Sequence, residues 1–345
     1  LGSWASFLLI RPMATRFPNW VTFDLDWRFV SFTLALSGAA VLLFGLVPAL
    51  RASASGGSAS RRSTLSAQRR RGMNVLVATE VALAMMLLVV GGLSSLDIWA
   101  LGRADPGFNS ERIMTYQFKL SASRYPVSES RLAFMEAYAA RLNTLPGVES
   151  ATLASSLPLR GNWGWLFEAE GVVLPPGENS PMVLHRVVYP GYFETMGVPI
   201  LEGRSLNQHD GRYEGSQAVV VNESFIRSHL EGTDDPIGRR VRPPGDENAW
   251  MTIVGVAQDV SHYGVDEETR PGIYQPLRQL PQDQMQVALR TTGDPTEIMA
   301  QARAVTTAID PELPLFRVET MARRIEESLW ARRAISWIIA TFSGI

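Results

Sequence analysis

FVSFTLALSGAAVLLFGLVPAL, residues Phe29–Leu50, is followed 22 residues later by MNVLVATEVALAMMLLVVGGLSSL, residues Met73–Leu96. The first stretch carries no charge over 22 residues, and the second carries one, Glu80, over 24. As helices they rise about 33 and 36 Å, enough to cross ~30 Å of hydrocarbon. Core helices of a soluble protein are the rival reading. It fares poorly, because two stretches of span length stand so close together. Residues 29–50 and 73–96 are therefore read as transmembrane helices. Ala334–Ile345 adds 12 uncharged residues and reads as the start of a third span. Residues 1–28 read as the end of a preceding span and an outer loop. The expectation is a piece of a longer, multi-pass protein.

The interval between the two stretches, residues 51–72, decides orientation. It holds Arg51, Arg61, Arg62, Arg69, Arg70 and Arg71 and no acidic residue. Short Arg-rich loops stay in the cytoplasm. The opposite loop, Arg11–Arg28, sets three Arg against Asp24 and Asp26. The same arginines could also form a lipid- or nucleic-acid-binding patch, but their place between two spans favours the topological role. Ser53–Ser60 reads as a flexible linker. Residues 97–333 then lie outside the cytoplasm. Trp27, Trp99 and Trp330 fall at the expected outer boundary, the depth amphipathic rings prefer. Ala35, Ala39, Gly91 and Gly92 permit close helix packing within the spans. Glu80 is a candidate intramembrane polar site; the plainer alternative is a carboxylate near the cytoplasmic end that caps or snorkels.

The 345 residues have a net charge of −2, 46% hydrophobic residues and a mean hydropathy of +0.02. That balance gives no reason to expect a nucleic-acid partner. The absence of cysteine excludes a disulfide framework, a thiol nucleophile and a Cys-based zinc site.

From Pro106 to Leu329 the composition is that of a globular α+β domain, and its two ends share one pattern. Arg112–Leu120 alternates like a strand. Ser128 is placed to cap a helix reaching about Leu145, with Leu132, Met135, Tyr138 and Leu142 as its apolar stripe. Val148–Ala154 reads as a second strand. Met285–Arg290 is again a strand. A helix from Thr296 places Ile298, Ala302, Val305 and Ile309 on one face, and Leu315–Val318 follows as a strand. Two strand-helix-strand units, in 106–155 and 285–329, suggest a split ferredoxin-like subdomain. Residues 156–284, with short strands such as Ala218–Val221 and Thr252–Val256, read as an inserted β-rich subdomain.

No P-loop, H-E-x-x-H or G-x-S-x-G is present. His185, His209, His229 and His262 lie far apart in sequence, and core or solvated histidines are the expectation rather than a metal site. Gly161-Asn162-Trp163-Gly164-Trp165 is the most unusual external stretch. Trp163 and Trp165 either meet a ligand or partner or plug the joint between subdomains. No catalytic constellation stands out, so the chain is not expected to be an enzyme, and no cofactor or metal is assigned.

An ordered set of motifs resembles the MacB/FtsX-like permeases of ABC transporters, in the form where the permease unit occurs twice. Phe44-Gly45-Leu46-Val47-Pro48-Ala49-Leu50-Arg51 resembles the end of one unit's last span. Arg71–Leu93, with Glu80-Val81-Ala82-Leu83, resembles the opening helix of the next. Asp105-Pro106-Gly107-Phe108 resembles the start of the periplasmic core domain. Met196-Gly197-Val198-Pro199, Glu202-Gly203-Arg204, Val221-Asn222-Glu223, Asp235-Pro236-Ile237-Gly238-Arg239, Val254-Gly255-Val256 and Tyr274-Gln275-Pro276 follow in order. Their Gly and Pro residues shape turns, and Asn222-Glu223 reads as a helix start after a strand.

The resemblance implies a permease whose motion is driven by a separate ABC-type ATPase, the subunit that binds ATP. The bilayer, a second permease unit in the same chain or a dimer, and a periplasmic partner are the other partners it implies. Some members of the family expel drugs or peptides, some extract lipoproteins and some regulate cell-wall hydrolases. The loop that contacts the ATPase in this family is not among these residues, so no coupling residue is assigned. The alternative is a non-transporting signalling or scaffold protein with a periplasmic sensor domain.

Overall fold

The computed structural model describes residues 105–330, apart from 160–163, 172–179, 212–216, 231–234, 246–249, 263 and 265–268, together with single helical positions between 31 and 93. The chain divides into two compact units, Leu1–Gly92 with Ile339–Ile345, and Leu93–Ile338. In the first unit the described positions are helical. Val77, Val81, Met85, Met86, Leu88 and Val89 are all exposed there. Among the described residues no helix is long and apolar enough to cross a membrane. Most of the expected spans, the arginines of 51–72, Glu80 and Trp163 lie outside the described residues.

In the second unit the described strands form one mixed sheet. They are β1 (Ile113–Lys119), β2 (Val148–Ala154), β3 (Gly164–Leu166), β4 (Glu168–Ala169), β5 (Met182–Val188), β6 (Ile200–Gly203), β7 (Ala218–Asn222), β8 (Arg240–Arg242), β9 (Met251–Ala257), β10 (Gly272–Pro276), β11 (Gln284–Thr291) and β12 (Phe316–Thr320). The order is β12-β1-β11-β2-β5-β10-β7-β9-β8-β4, with β3 beside β5 and β6 beside β9. Helices α1 (Ser128–Asn143), α2 (Tyr192–Met196), α3 (Glu223–His229) and α4 (Met299–Ile309) accompany it, and residues 321–330 are helical.

The first four strands in this order are antiparallel neighbours contributed by the two ends of the domain. Period-two alternation gives this half two different faces. Met114, Tyr116 and Phe118 of β1 join Met285, Val287 and Leu289 of β11 in a core with Met135, Tyr138 and Leu142 of α1 and Ala302 of α4. The Tyr116 and Tyr138 hydroxyls are bonded at 2.7 Å, and Tyr138 continues to Thr306 on α4 at 2.7 Å. Burial raises the pKa of both phenols, so the chain stays neutral. The expected apolar stripes of both helices thus pack as their spacing requires. Two local details differ. Val127, whose backbone is extended, is the N-cap of α1 in place of Ser128 and makes no side-chain cap bond; the Ser128 hydroxyl accepts from Arg131. The helix expected from Thr296 begins at Met299, because Asp294 accepts from the Thr296 amide and hydroxyl and holds a turn there.

Residues 164–276 supply β3–β10 together with α2 and α3. They continue the sheet through a narrow seam, where β2 and β5 share the single pair Ala154↔Val188. Parallel pairs β5–β10 and β7–β9 make this half a mixed sheet. Asn222 ends β7 and caps α3, accepting from the Phe225 amide at 3.0 Å. The seam is filled by a shared core of Phe108, Leu157, Tyr192, Phe193, Met196, Tyr274, Met321 and Leu329.

Candidate functional site: a buried polar face between the domain's two chain ends

The second face of the four-stranded half is polar and buried. Thr115 and Gln117 of β1, Thr152 of β2, and Gln286 and Arg290 of β11 are all buried there. Two arginines organise this face. Arg290, only 7% exposed, donates from Nε to the Thr195 carbonyl at 2.8 Å, from Nη1 to the Glu111 carbonyl at 3.2 Å and from Nη2 to the Asn109 carbonyl at 3.1 Å. One guanidinium therefore ties β11 to α2 and to the segment that brings the chain in from the expected second span. Its fork of donors suits several fixed acceptors at once. Burial holds its pKa below the ordinary value, but a guanidinium remains charged.

Arg324, 3% exposed, lies on the helical residues 321–330 that lead toward the expected third span. It pairs with Glu319 at the end of β12 at 3.1 Å. It also donates to Gln286 Oε1 at 3.2 Å, Thr115 Oγ1 at 3.0 Å and the Pro158 carbonyl at 3.4 Å. The incoming segment is fixed further by backbone bonds from Asn109 to Met196 (2.9 Å) and from Ser261 to Pro106 (3.0 Å). Gly107, at φ +80°, lies so close to the Asp259 carbonyl that a Cβ would overlap it. Phe108 is buried in the same core as Leu329.

Among the described residues the polar side chains of this face bond to one another and to backbone carbonyls. Both ends of the domain are bonded to one sheet face, and through α2 to the other half. Removing one partner of a buried charge pair typically destabilises by about 3–5 kcal/mol, which applies to the Arg324–Glu319 pair.

Trp165 and the histidines singled out from the sequence sit elsewhere. Trp165 lies on β3, half-buried, with its ring stacked parallel to that of His185 at 4.7 Å between centroids. It packs on the core of the second half with Phe167 and Val183. The His185 Nε2 is 2.8 Å from Gln275 Oε1. His262 is buried with Nε2 3.3 Å from the Tyr274 hydroxyl, while His209 is exposed. Among the described residues no His, Asp and Glu group could hold a metal ion. Sequence reasoning missed Arg290 and Arg324. Alternation showed a polar face on β1 and β11, but solvent is the default cover for such a face.

The family model of the MacB-like periplasmic core domain matches residues 80–305. No curated protein matches the chain. Among solved structures, the periplasmic region of MacB from Actinobacillus actinomycetemcomitans is similar at 14% identity, with a TM-score of 0.44, over 67% of this chain and 98% of that one. The extracellular domain of the noncanonic ABC-type transporter YknZ from Gram-positive bacteria is similar at 13% identity, with a TM-score of 0.39, over 59% of this chain and 100% of that one.

Proposed function

The chain belongs to the family of the MacB-like periplasmic core domain, and from that premise we propose that it is the permease component of an ABC-type transporter. A separate ATPase subunit binds and hydrolyses ATP at the cytoplasmic face. Helices in 29–50 and 73–96 cross the bilayer and 334–345 begins a further span, with 51–72 in the cytoplasm and 97–333 in the periplasm. The exposed apolar side chains at the described helical positions 77–89 support this reading, since a helix apolar over most of its circumference suits lipid. The domain is membrane-anchored on both sides, and it passes movement of the spans outward as export or mechanical work.

The observation that carries the mechanical part is the pair of buried arginines. Movement of the incoming segment reaches β11 and α2 through Arg290, and movement of helix 321–330 reaches β1 and β11 through Arg324. Rigid elements joined by buried bonds are the physical means of such transmission. The order β12-β1-β11-β2, with α1 and α4 on one face, supports reading this half as a split ferredoxin-like subdomain with β3–β10 inserted.

Purification of the intact protein from native membranes with its bound partners tests the proposal. An ATP-binding subunit is expected to co-purify, with ATPase activity that depends on the permease. Intact complexes without such a subunit would overturn it.

A further inference from the structure

A cavity of about 220 Å³ opens between α1 and three segments of the other half: the residues after β5, the loop after β6 and the turn after β10. Leu132, Glu136, Tyr189, Pro190, Gln208 and Arg278 are among the side chains that line it. The space is that of roughly seven waters, room for one sugar ring. Two of its walls are held by bonds of their own. In the loop after β6, Asp210 accepts from Nη1 and Nη2 of Arg204, each at 2.8 Å, and from the Asn207 amide at 2.8 Å. In the turn after β10, the Leu277 amide donates to the Val188 carbonyl at 2.9 Å and the Gln279 amide to the Pro276 carbonyl at 3.0 Å. Gly211 packs so closely on Gln279 that a Cβ would lie 2.6 Å from its Cγ, which joins the two walls. A site fixed before binding loses less entropy when it is filled.

The charges around the cavity are answered within the protein. Glu136 of α1 pairs with Arg278 of the turn, and Asp210 pairs with Arg204. Two carboxylates against two guanidiniums leave no net charge to recruit an ion. The Glu136 and Arg278 side chains nevertheless keep 30% and 24% of their surface exposed. A guanidinium has five donors and a carboxylate about four acceptor positions, more than one ion pair uses. The half-buried Tyr189 hydroxyl and the exposed Gln208 amide bond nothing among the described residues. Burial, and then the nearby Glu136 carboxylate, raise the Tyr189 pKa, so the phenol stays a neutral donor and acceptor. Leu132 and Pro190, both half-buried, add an apolar patch beside these groups.

We propose that this cavity binds a neutral monosaccharide, its hydroxyls bonded by Tyr189, Gln208, Glu136 and Arg278 and the C–H face of its ring laid on Leu132 and Pro190. A ring of uncharged hydroxyls uses donors and acceptors together and leaves the Glu136–Arg278 pair intact. The site is distinct from the buried arginine face and stands whether or not the chain works in a transporter.

Saturation-transfer difference NMR on the intact protein in lipid nanodiscs tests the proposal, with D-glucose, D-galactose, D-mannose and N-acetyl-D-glucosamine as probes. At least one is expected to give a saturable signal above that of empty nanodiscs. Tyr189→Phe and Gln208→Ala each remove one neutral hydrogen bond, and each is expected to weaken that binding about fivefold. Ala140→Trp, which closes the cavity from the exposed side of α1, is expected to abolish it. No saturable signal from any of the four sugars overturns the proposal. Binding unchanged in the three variants places the sugar elsewhere and overturns it too. Tighter binding of D-glucuronate or D-glucosamine than of D-glucose marks a charged ligand and is equally fatal.

Discussion

His185 shows how burial alone sets a residue's chemistry. It lies on β5 beneath the Trp165 ring, and burial pulls its pKa down to about 4 from 6.5, although the Gln275 bond acts in the opposite direction. Nearby Arg186 lowers it further. The folded state therefore binds this proton less readily than the unfolded chain. The associated stability is fully present above pH 6.5 and is lost as pH falls from there toward 4. A shift of this size corresponds to about 3 kcal/mol. Unfolding titrations of the wild type and of His185→Gln, at pH 7 and pH 5, are expected to show a steeper loss in the wild type. Equal losses would remove the argument. His229 and His262 are shifted downward by burial too, so the comparison with the variant is what isolates His185. Gly203 behaves like Gly107: at φ +72° it passes so close to the Val254 carbonyl that only a residue without Cβ fits.

At the scale of elements, β1 and helix 321–330 repay comparison. Reading IMTYQFK as a strand needed only its alternation, and the apolar partners of Met114, Tyr116 and Phe118 were equally legible in the stripes of α1 and α4. The other face of β1 was legible as polar but not as buried. Its cover, helix 321–330, comes from about 200 residues away in the chain, as the Thr115–Arg324 bond records with a separation of 209. Arg324→Leu leaves Glu319 buried without its cation and is expected to destabilise the domain by about 3–5 kcal/mol. The double variant Arg324→Leu with Glu319→Leu is expected to recover part of that loss, because an apolar pair buries no charge. Chemical unfolding of both variants in nanodiscs measures the difference. If the single variant is as stable as the wild type, the pair ties nothing.

At the scale of the whole molecule, topology is the premise on which the transporter reading depends. The chain has no cysteine, so single thiols at Ser58 and Ser216 report their side of the membrane cleanly. In intact spheroplasts an impermeant thiol reagent is expected to label Ser216→Cys and to leave Ser58→Cys unmodified. The reverse pattern would invert the arrangement. By itself the sequence determined the apolar stretches, the charge bias between them, the strand-helix-strand order of 106–155 and 285–329, and the Asn222 cap. All of these follow from local periodicity, charge and turn chemistry. The tertiary structure alone decided that residues 164–276 extend the same sheet, that a polar strand face is roofed by a distant helix, and that Arg290 and Arg324 bind both chain ends to it. Those outcomes rest on contacts between residues far apart in sequence, and hydrophobic period and residue type say which face a side chain takes without saying what arrives to cover it.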